Sequence, residues 1–124
     1  MKAYERLLQY VRFDTTSDEN APQDVCPSTE KQKGLGEFLV EEMKRIGLAD
    51  ARMDRYGYVY GSLPANCKES VPVIGLIAHM DTSSSAPGAE IHPHIVKNYD
   101  GGDIVLNEEK NIVMQAKDFP ALSG

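Results

Sequence analysis

The sequence predicts an α/β domain, a mixed β-sheet flanked by helices. Three observations predict it. Two stretches repeat apolar residues at helical spacing: Tyr4, Leu7, Leu8 and Val11, then Leu35, Phe38, Leu39, Met43 and Ile46. Between Val71 and Ala78 the chain is almost continuously apolar, as in a strand buried on both faces. Short β-prone segments flank tight turns on either side of that run. Layers of helix against sheet follow from this mixture. The chain of 124 residues is long enough for one domain with a core.

The first stripe predicts a helix from about Lys2 to Phe13, its apolar face packed into the core. From Asp14 to Pro27 the chain is polar, with Pro22 and Pro27 as breakers, and reads as a long irregular loop of the kind that often carries function. Thr29 followed by Gln32 has the form of a capping box and opens the second helix. Gly34 and Gly36 weaken its first turns. Lys44 and Arg45 suit its negative end, and Gly47 suits the left-handed position beyond it.

Ala51 to Asp54 and Tyr58 to Leu63 read as a hairpin around Arg55-Tyr56-Gly57, with Tyr56, Tyr58 and Tyr60 alternating onto one face. Pro64 to Ser70 is a polar loop before the apolar run. Pro93 demotes Ala89 to Val96 to an edge or irregular segment. Asp103 to Leu106 and Asn111 to Met114 read as a second hairpin, and Asp118 to Gly124 as a loop with no cap or charged tail. The chain therefore reads as cut off rather than finished.

Composition narrows the function. Thirteen basic residues against 19 acidic give a net charge of −6, with no basic cluster to grip phosphates. Nucleic acid and anionic membranes are poor partners for such a surface. The start lacks the apolar stretch of a signal peptide, and no apolar run reaches membrane-spanning length. Cys26 and Cys67 form no Cys-x-x-Cys pair and read as free thiols of a reducing compartment, which points to the cytoplasm.

The candidate site is His79 and Asp81, where the apolar run gives way to a Ser/Pro/Gly-rich loop. In open α/β sheets, ligands bind at that end of the strands. Residues two apart on extended backbone point to one side, so imidazole and carboxylate would face a shared cleft. A neutral imidazole can ligate a metal through one nitrogen while a carboxylate orients the ring through the other. A structural histidine held by a loop aspartate fits the same triplet. His92 and His94 could serve a metal together, but no third ligand lies nearby in sequence, and two exposed histidines beside a proline explain them more simply. Asp81-Thr82-Ser83 also resembles the aspartic-protease loop, although that loop has glycine where Ser83 stands.

Five stretches carry a family resemblance: Pro27-Ser28-Thr29-Glu30, Ile46-Gly47-Leu48, Gly61-Ser62-Leu63-Pro64-Ala65-Asn66, Ile77-Ala78-His79-Met80-Asp81-Thr82-Ser83, and Asn98-Tyr99-Asp100-Gly101-Gly102-Asp103-Ile104. In this order they resemble the peptidase T family, tripeptide aminopeptidases of the zinc-dependent exopeptidase superfamily that also holds aminoacylases and dipeptidases. The resemblance covers nearly all of residues 1–124 and implies the N-terminal segment of a metallopeptidase catalytic domain. It implies a two-zinc cytoplasmic enzyme that releases the N-terminal residue of tripeptides, with His79 as a metal ligand and Asp81 as the catalytic aspartate that orients it. A homodimer of the complete enzyme is compatible with it. The family's other ligands and general-base glutamates have no counterpart before Gly124, so the segment alone is expected to bind zinc weakly and to be inactive. A dipeptidase or aminoacylase of the same superfamily, or a non-catalytic binding fragment, are the alternatives.

Overall fold

The backbone N–H of Lys2 donates to the Glu5 carboxylate at 2.7 Å, closing one end of helix α1 (Ala3–Tyr10). A computed structural model describes residues 1–123 of the chain. Only half of the stripe that predicts α1 packs: Leu8 and Val11 are half-buried, whereas Tyr4 and Leu7 are exposed. The helix is held also by polar and aromatic groups. Arg6 pairs with Glu42 at 2.8 Å, the Tyr10 hydroxyl donates to the same carboxylate, and Tyr10 and Phe13 pack on Phe38 with ring centroids 6.1 and 5.4 Å apart. Glu42 is buried, so its charge relies on these two partners. The Tyr10 pKa is raised, first by burial and then by its bond to Glu42, with Arg6 acting in the opposite direction.

Helix α2 (Gln32–Arg45) begins three residues after Thr29. Thr29 does not cap it through its side chain. Its hydroxyl donates to the Thr16 carbonyl at 2.8 Å and accepts from Gln32 Nε2 at 3.1 Å, which ties the helix entry to the preceding loop. The other end behaves as its sequence predicts. Gly47 is left-handed at φ 106°, and the Leu48 N–H reaches the Met43 carbonyl at 3.0 Å while the Gly47 N–H reaches Lys44 at 3.1 Å, the two bonds of a Schellman motif. Leu35 is buried, Phe38, Leu39 and Met43 are half-buried, and Ile46 is exposed. Gly36 serves packing: a Cβ there would stand 2.5 Å from Met53 Sδ, so the bare backbone lets Met53 and Val59 approach.

Strands β1 (Arg52–Met53) and β2 (Val59–Tyr60) form the predicted antiparallel hairpin, with Arg52 opposite Tyr60 and Met53 opposite Val59. Asp54 builds its turn: one carboxylate oxygen accepts the N–H groups of Tyr56 at 2.9 Å and Tyr58 at 3.0 Å, and Gly57 takes φ 85°. Tyr58 and Tyr60 share a face at 6.4 Å between centroids.

The run 71–78 is not a strand in this structure. Val73 and Ile77 are each 99% exposed and Leu76 is 94% exposed. A central strand needs ladder neighbours on both edges and cover on both faces. Among the described residues none pairs with 71–78. The predicted mixed sheet is therefore replaced by two separate antiparallel pairs and one isolated parallel bridge, Thr16 to Thr82.

The chain divides into two compact units, Met1–Pro93 and a second that starts at His94. In the second, β3 (Ile104–Asn107) and β4 (Ile112–Met114) form the other predicted hairpin, with a bulge between Val105 and Asn107 and Asn111 at φ 50° in its turn. The Asp103 carboxylate accepts the Ala116 N–H at 2.9 Å, where the chain enters a 3₁₀ turn, Ala116–Asp118. A second such turn, Pro120–Ser123, stands where the sequence reads as loop; Gly124 lies outside the described residues. Cys26 and Cys67 are unpaired and exposed, and no described helix is long and apolar enough to cross a membrane.

Candidate functional site

His79 and Asp81 come together directly. Nδ1 of His79 lies 2.9 Å from the Asp81 carbonyl oxygen and 3.1 Å from its Oδ1. Both partners are acceptors, so in the neutral ring the proton sits on Nδ1 and the lone pair on Nε2. Nε2 has no hydrogen-bond partner among the described residues, and the side chain is 85% exposed. The Asp81 side chain is 44% exposed. The pair thus stands on open surface and not in a cleft, for the same reason that the run before it is bare.

The residue after the pair is fastened. Thr82 donates its N–H to the Thr15 carbonyl at 3.0 Å and accepts the Ser17 N–H at 2.9 Å and the Ser17 hydroxyl at 3.0 Å. The Asp14–Ser17 segment is itself organised by Asp14. Its Oδ1 accepts the Thr16 N–H at 3.0 Å and the Thr16 hydroxyl at 2.7 Å, and Lys31 Nζ donates to Oδ2 at 2.9 Å. These bonds, Thr16 foremost and Lys31 next, lower the Asp14 pKa from 3.8 to about 2. Gly88 closes over the junction: a Cβ there would meet Thr16 Oγ1 at 2.3 Å and Asp14 Oδ1 and Thr82 Oγ1 at 3.2 Å each. Further along, the Ser84 hydroxyl donates to Glu19 at 2.7 Å.

His92 closes the first unit beside Pro93, and His94 opens the second. His94 lines an open hollow of about 400 Å³ with Lys97, Tyr99, Asp100 and Asp103. Among the described residues no group of three or more His, Cys, Asp and Glu side chains is arranged to hold a metal ion. One imidazole with a free Nε2 and an oriented ring suits a metal as one ligand of a set, and the rest of the set does not gather around it here.

No protein-family model matches the chain. Individual relatives do. Peptidase T of Clostridium acetobutylicum is 55% identical over 118 residues, which is 95% of this chain and 28% of that protein. Peptidase T of Alkaliphilus oremlandii is 50% identical over 122 residues, 97% of this chain and 29% of that protein. That of Bacillus subtilis is 48% identical over 120 residues, again 97% and 29%. The chain resembles peptidase T along nearly its whole length. It spans under a third of the length of these peptidase T relatives.

Sequence reasoning found the pair and missed what fastens it. Asp14 and Thr16 read as the start of a long irregular loop, and Gly88 as loop. One signal was available: Asp-x-Thr is a form in which an aspartate accepts the N–H two residues on. That the partner of this segment would be Thr82 had no local mark.

Proposed function

We propose that the chain is a segment of a zinc aminopeptidase that releases the N-terminal residue of tripeptides in the cytoplasm. In this reading it belongs to the N-terminal part of the catalytic domain of a peptidase T-like enzyme. The likeness to peptidase T over 95% of the chain supports the activity. The observation that carries the site is the bond from His79 Nδ1 to Asp81, which leaves Nε2 exposed as a ligand. A bound pair of zinc ions would supply Lewis acidity toward the peptide carbonyl and a water of lowered pKa. His79 would hold one ion through Nε2. Asp81 would fix the ring's orientation and raise its basicity through Nδ1. Its carboxylate is engaged by an imidazole, an arrangement unlike two aspartates sharing a proton.

The apolar run 71–78 supports the same reading. Its residues suit a strand covered on both faces, and relatives more than three times as long have the material to cover it. Residues 1–124 alone are expected to bind zinc weakly and to cleave no tripeptide, since one imidazole is not a catalytic ligand set.

The test is metal analysis and tripeptide hydrolysis in a polypeptide of peptidase T length carrying this sequence. His79→Ala should lose one zinc and nearly all activity. Asp81→Ala should keep zinc but bind it about 10–100-fold more weakly. Full zinc content in folded His79→Ala protein would overturn the assignment.

A further inference from the structure

We infer that Asp14–Ser17 is the positioning element of the His79–Asp81 pair, acting through Thr82 and closed by Gly88. The inference rests on the reading that His79 and Asp81 are the working pair, and it adds residues that touch neither metal nor substrate.

Backbone bonding argues for it. Across residues 71–92 the backbone–backbone hydrogen bonds to the rest of the first unit, among the described residues, are the two on Thr82: its N–H to Thr15 and its carbonyl from Ser17. Before Thr82 lies an exposed run with no ladder, and after it a Ser/Pro/Gly-rich loop. His79 takes its orientation from the main-chain carbonyl and the carboxylate of Asp81. Asp81 adjoins the residue that is fastened through its backbone. Fixing the backbone at Thr82 therefore restricts where both Asp81 acceptors stand, and through them the ring.

The anchor is rigid on its own side. Thr15 is buried, Asp14 holds Thr16 through two bonds, and the Thr29 hydroxyl grips the Thr16 carbonyl from the entry to α2. The approach of Gly88 leaves no room for a Cβ beside Thr16 Oγ1. A path of contacts runs from α2 through Thr29, Thr16 and the Thr82 bridge to Asp81 and His79.

The experiment reads the His79 tautomer by nitrogen-15 NMR in the chain itself. Two variants loosen the clamp: Gly88→Ala wedges it, and Ser17→Pro deletes the N–H that Thr82 accepts, with Thr16 before it already in a β-bridge that proline tolerates. The β1–β2 amide signals report that the fold is intact, and exchange of the Thr82 amide reports that the clamp is open. In the wild type the proton should sit on Nδ1. In either variant the Nδ1–H signature should be lost with the hairpin signals unmoved. Should Gly88→Ala disturb the hairpin, Ser17→Pro decides. Retention of Nδ1–H with an unprotected Thr82 amide would overturn the inference and leave the pair standing. A wild-type ring protonated on Nε2 would overturn the pair, and the inference with it.

Discussion

Helix α2 with its hairpin and the run 71–78 are both rich in apolar residues, and they end in opposite states. Leu35 is 7% exposed and Leu76 is 94% exposed. The difference lies in where each finds its partners. The helix meets β1 and β2 within a short stretch of chain, through a glycine turn and an aspartate-built hairpin. The run carries no such nearby complement, and a strand is defined by neighbours that its own residues do not specify. Burial is thus set here by the sequence distance to a partner more than by hydrophobicity.

The sharpest way to break this contrast is Leu35→Ala. Leucine and alanine are both good helix formers, so the change acts through packing. Removing a buried leucine costs about 2–5 kcal/mol. Urea unfolding followed at the hairpin should show a midpoint lowered accordingly, with an unchanged slope. A loss under about 1 kcal/mol would mean that α2 is not the packed region, and the comparison would fail.

Legibility followed the same division. Gly47, the Asp54 turn and both hairpins were readable because each is written in adjacent residues. The α1 stripe was right only for Leu8 and Val11, which are half-buried. Tyr4 and Leu7 stay exposed, while Arg6 and Tyr10, on another face, meet a buried Glu42 that the pattern of hydrophobicity assigns to solvent. At the site, His79 and Asp81 were readable from a spacing of two. The clamp was not, because Thr15 and Thr82 stand 67 positions apart and their bonding is mostly through backbone, which every residue offers alike.

A smaller effect tests the clamp against pH. The Asp14 pKa in the folded chain is about 2, below its ordinary 3.8. A depressed carboxylate contributes stability that is fully present above 3.8 and is lost as pH falls toward about 2. Asp14→Asn cannot lose a charge, so it should be less stable than wild type at pH 5 and converge with it as the pH approaches 2. The group is solvent-accessible, and the gap should be modest. Parallel stability curves for the two proteins across that range would remove Asp14 from the account of how Thr16 is held.

The smallest expected effect is the most informative about the bare run. Leu76→Ala in residues 1–124 removes a side chain that touches almost nothing, so unfolding stability should change by no more than about 0.5 kcal/mol. In a polypeptide of peptidase T length, where we propose that this run is an interior strand, the same change should cost about 2–5 kcal/mol. The two measurements together separate intrinsic from acquired burial. A large cost in the short chain would show that the run is already covered there, for example by a second copy pairing along an apolar edge, and lowered self-association on Leu76→Lys would then identify that cover. A negligible cost in both would deny the run any place in a core. Only the small-then-large result fits the proposal that this run becomes an interior strand in the longer polypeptide.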